Sequence, residues 1–414
     1  MLFQILLPKN YYMRKFLRIQ ITLIIVLVFL TPTANSNATT DFYKVKSFDK
    51  ENNLSASDCI KDINIKLDSS SIEKQTISSM SKKTIRILIF LVDFPDYQKS
   101  KKETLNFTEM KNKISDFYEA NSSDRLGFSW IQSTTYTRLS NTLESYRTGN
   151  RQSIGSILNI IRDAQDLAFK KFQKAFFDFI IVVPPSHITK KEISTSVAFL
   201  SEDEHYIDGT VLAGDYWQSG RSWTIPAHEI GHALGLVDLY SKVDTNGSVN
   251  NDSNYINQFN FMRFFDLMNW PTGPAPELLA WNRLLLGFLR ETEFKCLPRG
   301  ITNSWIAPIE SSKILNKALI IKIQDDRWIL VEYRTSTRFD EYLPKKANGV
   351  IVYEVDMQAE LGNGQIKLIS SNRRSSNPFY GSILKTGDYF EYQGILIEIL
   401  QLVDGMAQIR VHLN

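Results

Sequence analysis

Only two cysteines and five histidines occur in the 414 residues. Cys59 and Cys296 stand alone, which excludes a paired-thiol zinc ribbon and a disulfide-dense scaffold. Neither sign of charge is in excess. The formal charge is +3, and Lys9, Arg14, Lys15 and Arg18 are the only charged residues in 1–38, so the chain beyond carries −1. That balance gives no electrostatic case for a nucleic-acid partner. Long apolar runs are scarce as well. Ile19 to Leu30 is broken only by Gln20 and Thr22, yet it falls short of the ~20 residues that a membrane helix needs. No second run follows. Internal repeats are absent too. What is present is a globular balance, 43% hydrophobic and 12% aromatic, which excludes disordered and collagen-like chains.

The first residues read as an address. Met13 to Arg18 is a basic stretch, the apolar run follows, and Pro32 to Ala38 supplies a helix breaker and small residues. This three-part pattern predicts a secretory signal over 1–38, cleaved after Ala34 or Ala38. An uncleaved anchor is the alternative. Beyond it the chain is expected to be exported, with no stable membrane insertion. Residues 39–82 are rich in Ser, Lys, Asp and Asn with weak periodicity, and read as an N-terminal segment, a candidate pro-segment. Export permits a disulfide between Cys59 and Cys296; a free thiol, or a thiolate at Cys59 that ligates a metal, are the other readings.

Thr84 to Val92 is apolar almost throughout, as a strand buried on both faces would be, and Pro95 lies just beyond its end. Phe107, Met110, Ile114, Phe117 and Tyr118 recur at helical spacing, and a second helix is predicted from Ile154 to Phe172. Phe177 to Val183 is another buried strand. Past Arg290 the pattern changes to short strands, near 318–323, 328–333, 349–355, 365–369 and 395–400. The expected class is therefore α+β, with one domain over 83–290 and a β-rich domain over 291–414.

One stretch carries the chemistry: Thr224-Ile225-Pro226-Ala227-His228-Glu229-Ile230-Gly231-His232-Ala233-Leu234-Gly235-Leu236-Val237-Asp238. Thr224 suits a helix cap and Pro226 a first turn. His228 and His232, four apart, project from one helix face, so both imidazoles can reach one zinc ion. Glu229 stands beside the metal rather than on it, placed to take a proton from an activated water. Gly235 can adopt the left-handed conformation that ends a helix, and Asp238 then returns as a third ligand. Three ligands with a fourth position open describe a catalytic site rather than a structural one.

This stretch resembles the zinc helix of the immune inhibitor A family of secreted bacterial metalloproteases, a metzincin-like group. Leu88 to Asp96 is similar to that family's first catalytic strand, and Phe117 to Phe128 to its helix-to-strand passage. Phe265-Asp266-Leu267-Met268 resembles the turn that holds a methionine under the metal. Ala280 to Arg283, Glu332 to Arg334, Phe339-Asp340 and Gly349 to Tyr353 resemble later parts of the family, so the likeness spans roughly 84–356. It implies a mixed twisted sheet with helices, an active-site helix, and a lower lobe with the methionine turn, followed by the β-rich domain. It also implies Asp where many metzincins carry a third His. Trp270 stands where some relatives have a tyrosine that assists the transition state, which leaves Tyr240 as a candidate for that part.

Glu277, near the start of a later helix, is the rival third ligand, as in the other large class of zinc peptidases. Asp244 to Ser248, with Asn250, Asn251 and Asp252 behind, is oxygen-rich enough to cradle calcium, although the closing Glu of a calcium loop is missing. His187, His205 and His412 read as surface residues. The expectation is a secreted zinc-dependent endopeptidase with protein or peptide substrates, Glu229 as general base, and His228, His232 and Asp238 on the metal. The alternatives are an exported binding or adhesion protein with an inactive peptidase-like domain, and zinc hydrolysis of a non-protein bond.

Overall fold

The apolar run from Thr84 forms β1 (Lys83–Asp93), whose last seven residues are all buried. The computed structural model describes residues 59, 83–99, 103, 105–146, 154–189, 191–193, 205–217, 220, 222–240, 262, 264–271, 273, 275–343, 345–359, 364–369 and 381–414. The expected signal segment 1–38, residues 39–82 apart from Cys59, and the oxygen-rich stretch from Asp244 to Asp252 lie outside the described residues. Residues 51–414 belong to one compact unit.

After β1 come α1 (Thr108–Ser122), β2 (Leu126–Gln132), β3 (Thr137–Arg138), α2 (Ile154–Lys171), β4 (Phe179–Val183) and β5 (Asp208–Val211). They build a five-stranded sheet in the order β2-β1-β4-β5, with β3 also on β1. Every described pairing in it is parallel, where a mixed sheet was expected. The helical connections explain this: α1 joins β1 to β2, α2 joins β3 to β4, and a chain that crosses over a sheet through a helix returns in the same direction. The period of two then sorts β1. Ile85, Ile87, Ile89 and Leu91 face the side of Met110, Ile114 and Phe117 on α1. Leu88, Phe90 and Val92 face Ile157, Ile160, Ile161 and Ala164 on α2.

The chain continues through α3 (Gly214–Trp217), α4 (Thr224–Ala233) and α5 (Ala280–Leu285) into the β region. There β6 (Phe294–Cys296), β7 (Gly300–Ile306), β8 (Ala318–Gln324), β9 (Arg327–Arg334), β10 (Gly349–Asp356), β11 (Ile366–Leu368), β12 (Ile383–Leu384), β13 (Tyr389–Tyr392), β14 (Ile395–Val403) and β15 (Met406–Leu413) form two sheets. One has the order β11-β10-β9-β8-β6 with β12 on β10, the other β13-β14-β15-β7. Ile329 and Val331 of β9 pack in the core between these two sheets, with Ile397 and Ile409. Trp328 and Leu330, on the opposite face, belong to the core that also holds α1, α4 and α5. The expected domain boundary at 290 therefore runs through a hydrophobic core shared by both sides.

Cys59 and Cys296 are joined in a disulfide, so Cys59 offers no thiolate to a metal in this form. Cys59 is also held without the sulfur, because the Trp328 indole N–H donates to its carbonyl at 2.9 Å. No described helix is long and apolar enough to cross a membrane.

Candidate metal centre

All ten residues of α4 are buried. A helix covered all round needs no amphipathic stripe. Trp223, not Thr224, is its N-cap residue, and no side chain caps it. Pro226 falls in the first turn, where a missing N–H leaves no hydrogen bond unmade. The C-terminus closes as a Schellman turn. Gly235 has φ 100°, its N–H donates to the His232 carbonyl at 2.8 Å, and the Leu236 N–H donates to the Gly231 carbonyl at 2.9 Å. Gly235→Ala is expected to cost about 1–2 kcal/mol through the left-handed strain that a Cβ brings, read as a drop in thermal midpoint.

That turn also aims a ligand. The Leu236 carbonyl lies 2.9 Å from Nδ1 of His232, and the Leu267 carbonyl 3.2 Å from Nδ1 of His228. A carbonyl only accepts, so each Nδ1 is held as the donor, and each Nε2 keeps its lone pair for a metal. The two Nε2 atoms are 3.1 Å apart. Asp238 Oδ1 is 3.1 Å from each of them. The three donors thus form an equilateral triangle. Donor atoms about 2.0–2.1 Å from a tetrahedral zinc ion sit roughly 3.3–3.4 Å from one another, so the triangle has the dimensions of one ion's ligands.

The electrostatics agree with that donor set. Burial opposes charge on His232, but the Asp238 hydrogen bond and carboxylate outweigh it and raise the pKa to about 9. Burial likewise works against ionisation of Asp238, yet the hydrogen bonds from His228 and His232 hold its carboxyl well below the usual range. A cation in the triangle would take the place of the proton that this carboxylate otherwise attracts.

Glu229 joins the two histidines in the one group of potential ligands found among the described residues, with donor atoms within 4.8 Å of one another. Its carboxyl is 1% exposed, and Oε1 has no hydrogen-bond partner. Burial raises its pKa, against the opposing charges of His228 and His232. A bare buried carboxylate oxygen normally costs about 1–3 kcal/mol, which makes it a place where a reacting water or substrate proton belongs.

The other expected residues are placed as follows. Met268 is fully buried, and its sulfur lies only 2.6 Å from where a Cβ on Gly231 would stand. It therefore packs on the backbone of α4 between the two histidines. Its carbonyl accepts from the Leu239 N–H at 3.1 Å, next to Asp238. Tyr240 stacks on His228 with ring centroids 6.3 Å apart. Trp270 lies against Phe264. Glu277 is not gathered at the histidines: its Oε2 accepts from Arg283 at 2.5 Å, with both side chains buried. His187 and His205 are exposed and His412 is partly buried.

Two residues around the site entered the sequence reading only as part of a helix face and of the resemblance, with no contact to the site assigned. Tyr118 of α1 donates to the Ala227 carbonyl of α4 at 2.5 Å. The Asp266 carboxylate accepts from the N–H groups of Met268 and Leu279, each at 2.7 Å. Burial pushes the Asp266 pKa up to about 6, against those hydrogen bonds and the Arg334 charge. The available signal was an acid placed among apolar residues, Phe265 and Leu267 to Met268, where burial without a partner would be costly. No family model matches the chain, and no curated protein does.

Proposed function

We propose that this chain is an exported zinc-dependent endopeptidase with a metzincin-like catalytic fold, akin to the immune inhibitor A metalloproteases. The observation that carries the reading is the triangle of His228 Nε2, His232 Nε2 and Asp238 Oδ1, 3.1 Å on each side, beside the unpartnered oxygen of Glu229. The methionine packed beneath α4 and the Asp-ended return after Gly235 support the same family. The disulfide supports an oxidising compartment, and so export.

His228, His232 and Asp238 would hold the ion. Zinc there would supply Lewis acidity toward a carbonyl and make water a nucleophile near neutral pH. The chain's own residues do the rest. The two carbonyls at Leu236 and Leu267 fix the imidazole tautomers. Glu229 takes a proton at Oε1 from the attacking water and returns it to the leaving amine, base and then acid. The apolar surroundings of α4 exclude bulk water, which keeps the Glu229 proton affinity high enough for the first step.

The test is zinc per chain in purified protein, with cleavage of casein followed with and without a chelator. One zinc and chelator-sensitive cleavage support the proposal; no zinc sinks it. Asp238→Ala is expected to weaken zinc binding by about two to three orders of magnitude. That estimate shares the roughly 10–16 kcal/mol of a four-ligand structural site among its ligands. Competition against a metal indicator reads it out, and unchanged affinity would remove Asp238 from the ligand set.

A further inference from the structure

Five consecutive main-chain N–H groups before and at the start of α5 donate to five different side chains. Glu277 N–H donates to Asp340 at 3.0 Å, Leu278 to Asn121 at 2.8 Å, and Leu279 to Asp266 at 2.7 Å. Ala280 donates to Glu332 at 2.7 Å and Trp281 to the Tyr353 hydroxyl at 3.1 Å. All five donors precede the helix or fall in its first turn and lack partners within it. Their acceptors come from α1, from the methionine turn, from β9 and β10, and from the segment after β9. Arg334 knits the β-region side together. It donates to Glu332 at 2.9 Å, to both oxygens of Asp340 at 2.7 and 2.8 Å, and to the Glu277 carbonyl at 3.1 Å. Glu332 and Arg334 continue the face of β9 that carries Trp328 and Leu330, which is why two charges enter this core.

Asp266 connects this clamp to the histidines. Oδ1 closes its own turn on the Met268 N–H, while Oδ2 takes Leu279 N–H and the Asn282 amide at 3.0 Å. The same turn presents the Leu267 carbonyl to His228 and the Met268 carbonyl to Leu239, one residue from Asp238. One carboxylate therefore joins the main chain beside His228 and Asp238 to the start of α5, whose neighbouring amides are held by Glu332 and Tyr353 of the β region.

We propose that Asp266, and through it Glu332 of the β region, are positioning residues for the metal ligands His228 and Asp238. The inference rests on the zinc reading above. The β region is on this account a part of the site's frame and not an appended module. Metal affinity is sensitive to such partners by about 10–100-fold.

The experiment measures zinc affinity by chelator competition, and the visible spectrum of the cobalt-substituted protein, for the full chain and three variants. Asp266→Asn keeps the shape but turns an amide donor toward Leu279 N–H and the Asn282 amide, or toward Met268 N–H. Glu332→Gln makes the same mismatch from the β-region side and carries the test if the first variant does not fold. Ile397→Ala, in the core between the two β-region sheets, is the control that loses packing alone. The expected result is zinc bound 10–100-fold more weakly, with an altered cobalt spectrum, in the first two variants and not in the control. Wild-type affinity and spectrum in Asp266→Asn and Glu332→Gln would overturn the proposal, as would an equal loss in Ile397→Ala. A wild-type chain that binds no zinc would overturn the zinc reading itself.

Discussion

Glu229→Gln is expected to lower kcat for casein cleavage by about 10²–10⁴-fold while zinc content stays at the wild-type level. The two effects separate because Glu229 is no member of the donor triangle. Gln has the same volume, so the covered helix α4 keeps its packing. Removing the carboxylate also removes a buried negative charge that faces His228 and His232. Stability is accordingly expected to hold or rise slightly, since a bare buried charge costs more than a bare amide. Zinc content, thermal midpoint and single-turnover cleavage measured together decide it. Retained cleavage with zinc bound would take the proton-transfer part away from Glu229. Parallel loss of zinc would make it a ligand.

Reduction of the Cys59–Cys296 disulfide, or its replacement by two alanines, is expected to cost about 2–5 kcal/mol. The cysteines are 237 residues apart, and the entropy that a crosslink removes from the unfolded chain grows with the logarithm of that separation. What survives reduction is the indole hydrogen bond from Trp328 to the Cys59 carbonyl and the burial of Cys59 at 4% exposure. Guanidinium unfolding with and without a reductant gives the number from the shift in midpoint. No shift would mean that the segment around Cys59 adds nothing to the stability of 83–414.

The strands that could be read from the sequence are those with near-continuous apolar runs. Thr84 to Val92 and Phe177 to Val183 announce themselves because both faces are covered. β2 and β7 do not, since Gly127, Ser129, Asn303 and Ser304 interrupt them, and β5 has only four residues. The parallel pairing was hidden in the connections, not in the strands. At the candidate site, the gathering of His228, Glu229, His232 and Asp238 around the Gly235 turn was legible because these residues lie at fixed spacing on one local element. Thr224 as a cap was not a sound inference: the helix starts one residue earlier, where burial rather than a side-chain hydrogen bond covers its end. Asn121 escaped, and Asp266, Glu332, Arg334 and Asp340 were noticed only as parts of the resemblance with no partner assigned, for a different reason. Their partners are main-chain N–H groups and, for Arg334, a main-chain carbonyl, 13 to 157 residues away, and no spacing rule reaches that far.

The amide clamp imposes an order on biosynthesis. A ribosome has made α4 by residue 233, but the acceptors for the segment behind it arrive later, with Glu332, Asp340 and last Tyr353. About 120 residues therefore separate the appearance of α4 from completion of the clamp on the start of α5. A chain stalled or truncated before Tyr353 carries His228, His232 and Asp238 and lacks part of that clamp. If the centre is the zinc site proposed above, its surroundings are then complete only in chains that have nearly been finished.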